Sequence, residues 1–367
     1  MRKVLHIING DLYAGAERVQ DLLALNLPRY NYGVSLLTLK EGLFSSARQA
    51  ADVPLFPFQM RSRLDLGVAR GIAKIARKGG YRIIHTHSPR GALIGAIASS
   101  LAAVPLVHHV HGPTTHDTEH VLRNYWNSLI ERICIRRAVH AVAVSRFVAG
   151  YAQSLGVPAE NRTIVWNGVE TPVEKLLQND FSRPTIGAVA LFRPRKGIEV
   201  LIEAAAQLAG IRSSPFKVLM VGAFETKEYE DMIKSLARRL NVEDRFEWTG
   251  FTTDVEQMLR KMDVFVLPSL YGEGLPMVVL EAMALGLPIV STKVGGVVEA
   301  IEDRRQGLLV EPGDATSMCL SLNEVLDDEA LRLKIGKGAR QRQIECFSAN
   351  SMAAGVAAVY DKILGAG

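Results

Sequence analysis

Short β-branched runs alternate with helix-patterned segments through almost the whole chain, and nothing else in the sequence constrains the fold as strongly. VLHIIN, VSLLTL, RIIHTH, PLVHHVHG, AVAVS and TIVWNG read as strands of the first half, with helical spacing between them at 17–27, 68–78, 91–102 and 121–137. TIGAVALF, VLMVG, FEWTG, VFVLPS, PIVST and GLLVEP repeat the pattern in the second half. Strands separated by helices pair in parallel, with the crossover helices covering both faces of the sheet. The pattern lapses at residues 170–184, ETPVEKLLQNDFSRP, a polar stretch with two prolines that reads as a linker. The expectation is therefore an α/β chain of two tandem doubly wound domains, 1–169 and 185–349. They would face each other across a cleft, with ligands at the C-terminal ends of the strands. The last segment, 350–367, is helical and is expected to join the first domain, although its pattern alone does not place it.

Composition agrees with two globular domains. A chain of 367 residues exceeds one ordinary core, and 48% hydrophobic against 22% charged residues is a folded balance. Cys134, Cys319 and Cys346 are few, odd in number and far apart. They make neither a disulfide framework nor a CxxC metal site, so they read as buried filler in a reducing cytoplasm. MRKVLHIING lacks the apolar length and cleavage site of a signal peptide, and the uncharged stretch from Arg90 to Asp117 reads as a helix and a strand. The charge is uneven, +9 over residues 1–170 and −4 over 171–367. A basic first half suits an anionic partner such as a phosphorylated lipid or the inner face of a membrane, and equally a merely solvated surface. No aromatic-interleaved basic stripe points to nucleic acid.

The chemistry concentrates in PSLYGEGLPMVVLEAMALGLPIVSTKVGG, residues 268–296. A strand end and a glycine-rich loop lead to a helix over about 276–285, opened by Pro276 and stopped by Gly286. That helix is apolar nearly all round, so it reads as buried, with Glu281 its only charge. A buried carboxylate costs several kcal/mol unless paired, so Glu281 meets either a structural cation or the hydroxyls of a ligand. Glu273 lies between two glycines that let a ligand approach the backbone, and the N–H groups of Gly274 and Leu275 open the helix toward an anion. A second turn, ALFRPRKG at 190–197, crowds Arg193, Arg195 and Lys196 at a helix N-terminus, where an anion would offset their unfavourable position.

The E-x7-E spacing of EGLPMVVLE, followed by GLPIVSTKVGG and GLLVEPGD, resembles the retaining glycosyltransferases of family 4, which have the GT-B fold of two Rossmann-like domains. The resemblance implies that Glu273 lies by the hydroxyls of the donor sugar and Glu281 binds the ribose diol. Gly274 and Leu275 would hold the pyrophosphate. Lys196 matches the family's diphosphate-binding Lys. Leu191 stands where the usual Arg would be, so Arg193 takes that role and Arg195 is read as solvated. In the first half, Gly15 of the first loop would lie near the donor phosphates, with Ala14 replacing one of two adjacent glycines. His111 matches a strand-end His beside the donor sugar. Asn167-Gly168-Val169 matches the interdomain turn; Val144-Ser145 also matches, without an assigned chemistry; Glu299 matches a Glu of open role.

The implied reaction moves a sugar, with retention, from a nucleotide-diphosphate sugar to a glycan or lipid-linked acceptor in polysaccharide or lipopolysaccharide synthesis. It would need no cofactor and no metal. His108, His109 and His111 share one strand, but only 109 and 111 share a face and no carboxylate stands near, so no metal site is expected. His85 and His87 read as core histidines or as cleft lining. The rivals are a nucleotide-sugar 2-epimerase of the same fold and a non-catalytic nucleotide-sugar binder. A nicotinamide-dependent dehydrogenase lacks support because no GxGxxG follows the first strand. The acceptor-side loops at 40–66 and 112–122 carry no readable signal.

Overall fold

The structure is a computed structural model that describes residues 1–62, 65–113, 121–172 and 181–365. Parts of the acceptor-side loops (63–64 and 114–120), the middle of the linker (173–180) and residues 366–367 lie outside the described residues. The chain divides into two compact units, one of Met1–Gly168 with Ala349–Gly367 and one of Val169–Ser348.

The first unit is built on seven parallel strands: β1 (Arg2–Ile8), β2 (Tyr32–Thr38), β3 (Leu55–Pro57), β4 (Tyr81–Thr86), β5 (Leu106–Val110), β6 (His140–Ala143) and β7 (Arg162–Ile164). Their order is β3-β2-β1-β4-β5-β6-β7. Val4 to Ile8 of β1 and Leu106 to Val110 of β5 are buried at every position, as central strands covered on both faces require. The edge strands β3 and β7 have three residues each, and β3 ends in a proline. A strand that short carries little periodic signal, and proline is tolerated only at an edge.

The helix Ala349–Leu364 returns to this first sheet. Met352, Ala353, Val356, Ala357 and Tyr360 recur at spacings of three and four and are all buried. Polar contacts hold the same helix in place: Tyr32 donates to Asp361 Oδ1 at 2.6 Å, and Arg2 pairs with that oxygen at 2.9 Å. Ser145, matched in sequence without a chemistry, is a helix cap. Its hydroxyl accepts from the backbone of Val148 at 3.1 Å and starts the helix Arg146–Ser154.

The second unit holds six parallel strands: β8 (Thr185–Val189), β9 (Lys217–Val221), β10 (Phe246–Gly250), β11 (Val264–Leu267), β12 (Ile289–Thr292) and β13 (Leu308–Val310). Their order is β10-β9-β8-β11-β12-β13. The chain runs from β8 outward through β9 to β10, then restarts at β11 and runs the other way. The order thus reverses between β8 and β11, so the crossover helices that follow them go to opposite faces of the sheet and open a crevice at the strands' C-terminal ends. In the first unit the same reversal falls between β1 and β4.

Candidate functional site

The loops after β8 and β11 meet in that crevice. After β8, Phe192 is buried against Phe224 and Trp248, and its backbone bonds Ala223 O at 2.8 Å. A one-turn helix at Pro194–Lys196 then ends on Gly197, with φ +64°. A Cβ at Gly197 would lie 2.1 Å from Pro268 O, so only glycine lets this turn seat against the loop after β11. Leu270 N bonds Arg195 O at 2.9 Å and locks the two loops together.

This seating brings Glu273 onto the basic turn. The carboxylate is buried, 5% exposed; its Oε1 accepts from Lys196 Nζ at 2.5 Å and from the Ser269 hydroxyl at 2.6 Å. Arg195 Nη1 stands 3.8 Å from the same oxygen and 3.4 Å from Gly272 O. Burial alone would raise the Glu273 pKa, but Lys196 and Arg195 overcome it and hold the carboxyl below its ordinary value. Burial also pulls the Lys196 pKa down, against the opposing attraction of Glu273. Glu273 is therefore ionised, and two cations share one carboxylate. The excess positive charge, in a largely dry site, suits an anion.

Arg195 corrects the sequence reading. It was expected to be solvated, yet its side chain is 15% exposed because the loop after β11 folds over it. Arg193, the expected diphosphate ligand, stands just ahead of this turn with its Nη1 3.6 Å from Glu225 Oε1. Leu191 is exposed. Gly274 and Leu275 are buried ahead of the helix Met277–Leu285, which Gly286 stops at φ +70°. Glu281 also departs from expectation. The helix is not buried all round: Val278 and Glu281, three residues apart on one face, are half-buried. Glu281 thus lies on the one partly open stripe of this helix.

An open cavity of about 580 Å³ at the ends of β9 and β10 was not anticipated. Gly222, Phe224, Glu225, Thr226, Lys234 and Trp248 are among its lining. Glu225 connects it to the Arg193 turn. The signal for it lay in two strand ends that close on glycine, VLMVG and FEWTG. Gly222 has φ +135°, and its Cβ position would lie 1.8 Å from Ala190 O.

In the first unit, Gly15 opens the helix Gly15–Asn26 at an exposed position. His111 lies just past β5, half-buried, with its Nε2 3.2 Å from His87 Nδ1. The sequence reading counted ligands along one strand. The sheet assembles them across three, because His6 of β1 pairs in register with His85 of β4 and His109 of β5 stacks on His85. His6, His85, His87, His109 and His111 form one group, neighbouring ring centroids 4.2–5.4 Å apart. Burial holds their pKa values low, to about 3 for His6 and His111, so the rings are neutral. His108 points to the other face, 2.8 Å from the Thr86 hydroxyl.

Comparison with known proteins follows the same division. Residues 13–172 match the family model described as Glycosyltransferase Family 4, and residues 175–342 the one described as Glycosyl transferases group 1. A UDP-Gal:alpha-D-GlcNAc-diphosphoundecaprenol alpha-1,3-galactosyltransferase of Escherichia coli is 26% identical, covering 94% of this chain and 93% of its own. A phosphatidyl-myo-inositol mannosyltransferase of Mycolicibacterium smegmatis is 26% identical over 88% of this chain and 82% of its own. Among solved structures, Anabaena HepE in complex with UDP and glucose superposes with a TM-score of 0.86, at 23% identity over 99% of this chain and all of that one. That likeness is one of fold, the GT-B architecture of two parallel-sheet domains.

Proposed function

The chain belongs to the glycosyltransferases that these two models describe, family 4 and group 1, and on that premise we propose a donor, a route and an acceptor class. The donor is a nucleotide-diphosphate sugar held at the loops after β8 and β11. The acceptor is a glycan or lipid-linked glycan of cell-envelope synthesis, in keeping with a relative that acts on a diphosphoundecaprenol carrier. Transfer retains the anomeric configuration and uses no metal at the diphosphate.

The observation that carries this reading is the Lys196–Glu273–Arg195 cluster at the point where strand order reverses. As the bond from the anomeric carbon to the diphosphate oxygen breaks, its electron pair and charge pass to the leaving group. Lys196 and Arg195 stand ready to stabilise that charge, with the backbone of Gly274 and Leu275 beside them. The acceptor hydroxyl attacks from the face the diphosphate leaves, and its proton goes to the departing phosphate oxygen. No protein nucleophile is needed. Glu273, freed in part as the diphosphate takes over Lys196, accepts hydrogen bonds from the sugar hydroxyls. Glu281 receives the ribose diol, and the cavity lined by Phe224 and Trp248 receives the base. The resemblance assigns His111 and Gly15 to the donor as well.

The test is product analysis. The chain is incubated in EDTA with UDP- and GDP-sugars and a panel of glycan and polyprenyl-diphosphate acceptors, and the new linkage is read by anomeric proton NMR. Retention without added metal is expected. Inversion, a strict metal requirement, epimer formation without acceptor, or no transfer to any acceptor would each refute the reading.

A further inference from the structure

We propose that His87, His109 and His111, all of the first unit, form a binding site for one divalent transition-metal ion of the zinc class. Their ligating nitrogens all lie within 4.8 Å of one another. The His87 Nδ1 to His111 Nε2 separation of 3.2 Å is close to the edge of a tetrahedron with metal–nitrogen bonds of about 2.0–2.1 Å. His109 carries the argument furthest. It is 1% exposed, and among the described residues neither ring nitrogen has a hydrogen-bond partner. His87 Nε2 is likewise buried without one.

A buried imidazole with both nitrogens unsatisfied costs free energy, and coordination through one of them would recover part of it. The neighbouring trio His6, His85 and His87 is a poorer site, because the Tyr360 hydroxyl already lies 3.0 Å from His6 Nε2 and 2.5 Å from His85 Nδ1. Stacking alone explains the ring spacing but not the unpaired nitrogens. His111, half-buried past the end of its strand, supplies the way in. Three neutral imidazoles leave a fourth position for water, and an imidazole set favours zinc, nickel or copper over magnesium or calcium.

The experiment uses the full chain, free of any affinity tag and stripped with EDTA. Zn²⁺ is titrated against a chromophoric chelator, and Co²⁺ is added separately to read coordination from its visible absorption. One Zn²⁺ per chain, micromolar or tighter, with the intense spectrum of four-coordinate cobalt, is expected. His109→Phe, which keeps a ring in the stack, should weaken binding at least about tenfold. Should that variant fail to fold, His111→Asn at the exposed end gives the same readout. Absence of stoichiometric uptake by the parent chain overturns the proposal. So does uptake undiminished by both substitutions, which would put the ion on other histidines.

Discussion

Acidification should destabilise the first unit through the histidines it buries, and the size of the effect follows from their burial. His6 and His108 are fully buried, with pKa values lowered by burial to about 3 and about 4. In the unfolded chain they return to about 6.5. Below that value the unfolded state binds the extra protons, so stability is full above pH 6.5 and lost as pH falls toward 4. At pH 5 each ring costs about 2 kcal/mol, and two cost about 4, against a whole-domain stability of about 5–15 kcal/mol. His85, His87 and His109 shift in the same direction and steepen the loss. For a unit of this length the two rings alone lower the melting temperature by about 8–16 °C. The assay is urea unfolding from pH 7.5 to 5 in EDTA, with His108→Asn beside the parent. The variant should flatten the dependence by about 1.4 kcal/mol per pH unit below 6.5. A pH-independent midpoint, or the same slope in the variant, would refute the reasoning.

Three substitutions address the donor loops. Lys196→Ala should lower kcat by about 10²–10³, as loss of one transition-state donor does, and a change confined to KM would make Lys196 a ground-state binder. Glu281→Ala should raise the donor KM by about 10–150-fold, the worth of hydrogen bonds to a charged group; unchanged donor kinetics would remove it from the ribose site. Gly197→Ala places a methyl 2.1 Å from Pro268 O at φ +64°, so it should cost about 1–3 kcal/mol or more of stability by urea titration and weaken donor binding with it. An alanine variant as stable as the parent would mean that the two loops are not locked at that glycine.

The sheets were legible because parallel strands buried on both faces are continuous apolar runs, as VFVLPS and PIVST are. All six strands of the second unit were read from the sequence, although the edge strand Phe246–Gly250 is no such run and is only partly buried. Leu55–Pro57 was not, being three residues at an edge; the last helix joins the first unit as expected, but its own pattern could not place it, because its partners are distant in sequence, as Arg2 is from Asp361. Glu273 and Lys196 stand out from local motif chemistry. Their mutual contact, Arg195 folded beneath a second loop and the cavity after β9 arise only when non-adjacent segments meet. The histidine group is the clearest case: along one strand it looks like too few ligands, and lateral register assembles it.

The measurement that bears most directly on the account is calorimetric titration of the chain with nucleoside diphosphates and their sugar conjugates. Saturable one-to-one binding of at least one of them is expected, weakened at least tenfold in Lys196→Ala, in line with loss of a charge-assisted contact of about 1.5–3 kcal/mol. Binding of none across the panel, or equal affinity in parent and variant, would contradict it.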